Sequence, residues 1–518
     1  MILELTVFLL FCAAALGWVA HRFQFPYPIA LVAGGAMLGL IPGLPQFPFD
    51  PQFILVLILP PVLYQAALMT SWSDFKAHVR PIGLLSIGLV IATTLAVGAA
   101  LKLLVPEVPW AAAFVLGAIV SPPDAVAATA ILSKLNIPRR VVTVLEGESL
   151  VNDASGLVIY KFAVAAVLTG AFSLPGALVQ FGGIAVGGIV LGMAMAHVFI
   201  AIHRRLGDPF IEILISLLVP YATYIVAESL HASGVLALVA AGLVRGRYAP
   251  EIVSASMRIL GRPAWQLVVF LLNSLTFMLI GLQMSSILDK LSLYSPLQLL
   301  ALGSTVSLVA IGVRFVWVYA AGLLPGAWNH KGRPQQPPPN ARENFIISWC
   351  GMRGIVSIAA ALSLPLVLPN GSAFPHRDLI VFLTFFVIAV TLVVQGLSLP
   401  MLIRKLQVGS TWNEHEEKLR VRAAISAAAL HALDQHVQQH ACTGAWVASL
   451  RAEITSRIAL AVPDGQDDGV HEASNLRLRH AVIQAERKEL IRLWRNNQVS
   501  DDVMHRIEET LDHQEANL

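Results

Sequence analysis

Four polar residues crowd one short stretch: Glu148, Ser149, Asn152 and Asp153, within Glu146-Gly-Glu-Ser-Leu-Val-Asn-Asp-Ala-Ser155. Helical spacing puts Ser149 and Asp153 on one face, with Glu148 and Asn152 on the adjacent one. Two carboxylates, a hydroxyl and an amide oxygen are the ligand types that replace water around a hard cation. The same aspartate could hold a proton instead. The competing reading is a buried structural polar network. Ser149 has no histidine nearby, so a nucleophile–base pair for hydrolysis is not formed.

Two further strings break an otherwise apolar pattern. The first is Gly117-Ala-Ile-Val-Ser-Pro-Pro-Asp124. Pro122 and Pro123 donate no backbone hydrogen bond and interrupt a helix. The break creates a new helix N-terminus, which Asp124 is placed to cap; a kinked helix with a capping aspartate is the plainer reading. The second is Trp349-Cys-Gly-Met-Arg-Gly354, where glycines flank Arg353. A buried Arg353 needs a partner, and Glu148 is the candidate; a side chain reaching the interface is the alternative. Lys161, two turns after Asp153, and Arg314 also lie in apolar runs. For these two, packing and pathway roles both stay open.

The elements that carry these residues are membrane spans. The chain of 518 residues is 56% hydrophobic and 13% charged, against about 25% charged for soluble domains. The apolar residues fall into runs near 20 long, the length that crosses a bilayer as a helix. Thirteen such segments precede residue 406, centred near residues 10, 35, 61, 93, 121, 156, 190, 218, 239, 275, 310, 357 and 391. The first, Met1–Ala20, begins Met-Ile-Leu-Glu with no base, which favours a retained span over a signal peptide. Charge at the centre of a bilayer costs roughly 2.5–3.5 kcal/mol, so the polar strings above mark function.

The loops fix an orientation. Of the 23 Lys and Arg before residue 411, 17 fall in alternate loops, 3 in the opposite loops and 3 inside apolar runs. Bases collect on the cytoplasmic side, so the N-terminus is expected outside and the C-terminus in the cytoplasm. The two broken segments are the fifth and the twelfth. Two six-span halves joined by the seventh span would make them equivalent, which points to an inverted-repeat transporter with its site at the breaks.

Residues 411–518 change character, with 12 Lys/Arg against 17 Asp/Glu and 8 of the 15 histidines. Leu419–Val437 and Leu476–Arg495 read as amphipathic helices, and Val462–Gly469 as a linker. Ser500 before Asp501 and Asp502 reads as a helix N-cap. Residues 407–518 are thus expected to form a small helical cytoplasmic domain with a regulatory role; 1–406 form the transmembrane domain. Arg333–Asn340 is a proline-rich loop. Three scattered cysteines make no disulfide framework, and no phosphate loop or His/Cys cluster suggests ATP or a transition-metal cofactor.

Residues 1–406 resemble the monovalent cation:proton antiporters, in the electroneutral bacterial and eukaryotic sodium/proton exchanger branch. The resemblance rests on Leu59-Pro-Pro-Val, Ser121-Pro-Pro-Asp-Ala-Val-Ala, Gly147-Glu-Ser-Leu-Val-Asn-Asp153, Glu228-Ser-Leu-His-Ala-Ser-Gly234 and Gly351-Met-Arg-Gly354. In the tail, Ala485-Glu-Arg-Lys-Glu-Leu-Ile-Arg and Val499-Ser-Asp-Asp-Val are similar to bacterial members. It implies that Asp153 binds Na+ or a proton, with Ser149 as an oxygen ligand to Na+ and Asn152 as its neutral partner. It implies that Asp124 steadies the unwound fifth span, and that Glu148 and Arg353 form a structural ion pair. It implies a homodimer in which a core bundle moves against a dimerisation domain. Two positions depart from many relatives: Gln65 stands where an acid is common, and Pro123 where some carry a hydroxyl. Both bear on cation affinity and on Na+ over K+ selectivity.

The chemistry expected is one-for-one exchange. A buried aspartate takes either a proton or a cation; if only these two states cross, Na+ (or Li+) and H+ exchange without net charge. The rivals are a K+/H+ exchanger on the same fold, a sodium-coupled solute symporter, and a non-transporting sensor acting through the tail.

Overall fold

The structure is a computed structural model. It describes residues 2–22, 27–39, 41, 54–132, 135, 137–170, 174–283, 287, 291, 294–323, 340–369, 371–408, 414–440, 445–459 and 472–516. The proline-rich stretch 333–339 and the linker 462–469 lie outside the described residues. Among the described residues every element is helical, and the only bridge is the isolated pair Val367–Ala373.

Among the described residues, six helices are long and apolar enough to cross a membrane: Val79–Leu104, Arg139–Thr169, Gly182–His203, Pro209–Ser229, Pro296–Leu323 and Arg377–Leu406. Val7–Ala20, Tyr27–Gly39, Val56–Met69 and Trp110–Val120 are shorter apolar helices. Both expected breaks are present. Trp110–Val120 stops at Ser121-Pro-Pro-Asp124 and resumes as Ala125–Leu132. Ala341–Trp349 stops before Cys350-Gly-Met-Arg-Gly354 and resumes as Ile355–Leu362.

Chain packing divides the protein into two compact units. The first comprises Met1–Phe199, Ser216–Arg247 and Gln266–Ser410. Its centre is the broken pair with the helices Val90–Leu104, Pro296–Leu323 and Arg139–Thr169 around it. Wide turns of π-helix interrupt regular helix at Ile54–Ile58, Leu84–Leu89 and Thr391–Gln395. The first two have a physical counterpart. Pro61 cannot donate to Leu57, and the Leu57 carbonyl accepts instead from the Tyr221 hydroxyl at 3.0 Å. The Leu84 carbonyl accepts from Trp317 Nε1 at 3.0 Å. The long helix Arg139–Thr169 follows Pro138 and ends at Gly170, whose φ of 68° suits a residue without Cβ.

The second unit comprises Ile200–Ile215, Tyr248–Trp265 and Thr411–Leu518. The tail helices are Glu414–His440, Ala445–Ala459, Glu472–Arg495 and Asp501–Ala516. Val421, Ile425, Leu490, Val503 and Leu511 pack together between three of them. Ala429, Leu433, Leu450 and Ile454 make a second core. The N-cap read at Ser500 is present, with Ser500 Oγ accepting from Val503 N. The tail packs together with two pieces of the preceding 410 residues, a grouping that the composition break at residue 411 does not reveal.

Candidate functional site

The two breaks meet. The Asp124 amide donates to the Met352 carbonyl at 2.6 Å, and Arg353 Nε donates to the Val120 carbonyl at 3.0 Å. A Cβ at Gly354 would overlap the Asp124 carboxylate. The glycine therefore lets Asp124 lie against the start of Ile355–Leu362. There a carboxylate faces the positive end of a half-helix.

The arginines serve the opposite ends. The last carbonyls of an interrupted helix have no intrahelical donor. Arg353 satisfies Val120 at the end of Trp110–Val120, and also donates to Gly351 and Ala310. Arg314 donates to the Ile347 carbonyl near the end of Ala341–Trp349, at 3.1 and 2.9 Å. Positive charge thus sits at two half-helix C-termini, where the dipole favours it.

The expected pair of Glu148 with Arg353 is not formed. Glu148 is held by Arg314, with Nη1 on one oxygen and Nη2 at 2.8 Å from the other. The reason is the break itself: Arg353 is spent on three carbonyls, and Arg314 reaches the carboxylate from the intact helix Pro296–Leu323. Arg314 therefore makes its contacts to a buried carboxylate and to a helix-end carbonyl. Lys161 is 65% exposed and pairs with Glu228 at 3.4 Å. Glu228 also accepts from Gly234 N at 3.2 Å, so this motif fixes the turn into the helix Gly234–Ile252.

A cavity of about 300 Å³ opens beside the crossing. Asp153, Ser149, Asp124 and Gln65 all line it. Glu146, Thr129, Tyr27 and Asn273 line it too, and the sequence reading singled out none of them. Glu146, Ser149 and Asp153 recur at helical spacing, a signal that could have placed Glu146 on the cavity face. Asp153 is buried, and among the described residues no basic side chain pairs with it.

Asn152 faces the other way. Its Nδ2 donates to the Pro123 carbonyl at 2.8 Å, tying the first break to the aspartate helix. Its Oδ1 is buried and accepts no hydrogen bond among the described residues. Pro123 thus contributes its carbonyl rather than a side-chain ligand. Ser155 Oγ donates to the Ser86 carbonyl, anchoring the same helix to the π-turn Leu84–Leu89. Thr391 was also missed by sequence reasoning. Its Oγ1 accepts from the Arg353 amide at 3.2 Å and donates to Val387 O at 2.8 Å. A threonine in an apolar run carries no local mark of that task.

The family described as sodium/hydrogen exchanger, transmembrane, matches residues 7–405. An uncharacterized Na(+)/H(+) exchanger of Mycobacterium bovis is 33% identical over 98% of this chain and 95% of its own. The sodium, potassium, lithium and rubidium/H(+) antiporter of Bacillus subtilis is 34% identical over 77% of this chain and 61% of its own. The fold is similar to the sodium proton antiporter MjNhaP1 of Methanocaldococcus jannaschii. The TM-score is 0.64 at 19% identity, covering 78% of this chain and 99% of that one.

Proposed function

The chain belongs to the sodium/hydrogen exchanger family, and from that premise we propose that it exchanges Na+ or Li+ for H+ at Asp153, one for one. The observation that carries the reading is the state of Asp153: buried, on a cavity wall, and without a basic partner among the described residues. An isolated carboxylate in such a place is neutralised by a proton or by a cation. Ser149 on the same wall is an oxygen donor for the dehydrated ion, and Asn152 behind it is the neutral partner that ties the first break to the aspartate helix. Asn152 carries no charge of its own, so the exchanged species balance and no current accompanies flux. Asp124 holds the crossing in register and adds negative potential at the cavity.

The reading includes thirteen crossings in two inverted halves, with the N-terminus outside and the C-terminus inside a bacterial inner membrane, and a homodimer. The two interrupted helices crossing at their breaks support the inverted arrangement. Alternating access then exposes Asp153 to each side in turn. Radioactive Na+ uptake into vesicles with a clamped membrane potential tests the stoichiometry. The proposal expects uptake driven by a pH gradient and indifferent to the potential; uptake that follows the potential contradicts it.

A second cation deserves the same assay. The Bacillus relative carries K+ and Rb+ in its name, and Gln65 replaces an acid on the cavity wall of this chain. A K+ response equal to the Na+ response would make the protein a general alkali-cation exchanger.

A further inference from the structure

Glu146 lies on the same helical face as Asp153, seven residues earlier and so about 10 Å along the axis. Both line the cavity. Packing fixes which end Glu146 occupies. Leu59 and Leu63 pack with Ala154 and Leu157. Ala66 and Ala67 pack with Leu150 and Val151. A Cβ at Gly147 would come within 3.3 Å of the Phe75 ring. The helix Leu59–Met69 therefore runs antiparallel to the aspartate helix, and its end meets the level of Glu146. There the chain turns at Thr70 and Ser71 into the short helix Trp72–Ala77. Met69 and Thr70 line the cavity at this end, whereas Leu59 and Ile58 line it near Asp153.

The wall is thus graded: Glu146 at one end, Gln65 and Ser149 between, Asp153 and Asp124 at the crossing. A cation entering past Met69, which is 42% exposed, meets Glu146 before Asp153. Low-dielectric walls concentrate the field of a carboxylate along such a passage. We propose that Glu146 is the capture residue for the transported cation, drawing it into the cavity before Asp153 binds it. It acts on affinity and on-rate and leaves the proton–cation competition to Asp153. The inference rests on the Asp153 reading above.

The experiment measures initial exchange rates against Na+ concentration in everted membrane vesicles. It uses the parent, Glu146→Gln, Glu146→Asp and Asp153→Asn, at low ionic strength and with added choline chloride. Glu146→Gln is expected to raise the half-saturating Na+ concentration about three- to fivefold, from one charge near 10 Å, with a smaller change in maximal rate. The difference should shrink as salt screens it, and Glu146→Asp should behave like the parent. An unchanged half-saturation in Glu146→Gln overturns the proposal. So does a loss confined to maximal rate, or a Glu146→Asp that matches Glu146→Gln. Exchange that survives in Asp153→Asn would remove the Asp153 reading itself, and this inference with it.

Discussion

Arg314 grips both carboxylate oxygens of Glu148, and each side chain is 1% exposed. The pair joins the helix Arg139–Thr169 to Pro296–Leu323, while Arg314 also holds the end of Ala341–Trp349. Removing one member leaves an uncompensated buried charge, at a cost of about 3–5 kcal/mol. Glu148→Gln and Arg314→Gln should each lower the thermal unfolding temperature in detergent. In double-mutant cycles Glu148 should couple strongly to Arg314 and weakly to Arg353. Equal coupling to both arginines would contradict the pairing.

Gly354 tests the crossing. A Cβ there overlaps the Asp124 carboxylate, so Gly354→Ala must push apart the two breaks. Transport should fall at least tenfold, by misplacing the site by a fraction of an ångström. Gly83→Ala, where an added Cβ meets nothing within 4 Å, is the control and should transport as the parent.

Gln65 offers a gain rather than a loss. It lines the cavity with Ser149 and Asp153. Gln65→Glu adds a negative charge to that wall and should lower the half-saturating Na+ concentration a few-fold. Titration of initial rate against Na+ checks it; a rise in half-saturation would contradict the placement.

The tail has its own anchor. Within the second unit, Arg258 meets Asp512 at 2.7 and 2.5 Å and Glu508 at 3.6 Å, and Arg487 meets Asp512 at 3.0 Å. Arg258→Ala takes the basic partner from buried Glu508 and leaves buried Asp512 with Arg487 alone, a loss on the order of 3 kcal/mol to this packing. Limited proteolysis should cut the variant faster within residues 411–518. If the tail is regulatory, as we propose, Arg258→Ala should also alter rate or pH profile. An unchanged profile in this variant and in a folded chain lacking 411–518 would remove the regulatory role.

Much of the site was legible because it depends on local spacing. The i, i+4 relation separates Ser149 and Asp153 from Glu148 and Asn152, and the structure keeps that division: cavity on one side, packing contacts on the other. Proline and glycine chemistry located both breaks within a residue or two. Partner choice was not legible. Arg314 and Arg353 are equally plausible partners for Glu148 until it is known that broken helices leave carbonyls that Arg353 must satisfy. Thr391 and Tyr221 likewise serve backbone groups set free elsewhere in the chain. Glu146 was readable from its i, i+3, i+7 relation to Ser149 and Asp153.

The most direct measurement is collapse of a preset pH gradient in proteoliposomes on adding Na+, Li+ or K+, for the parent and Asp153→Asn. The account predicts a response to Na+ and Li+ in the parent, unaffected by clamping the potential, and none in Asp153→Asn, which cannot exchange a proton for a cation. A response that persists in the correctly inserted variant would contradict it, because the buried carboxylate would then not be where the two ions compete.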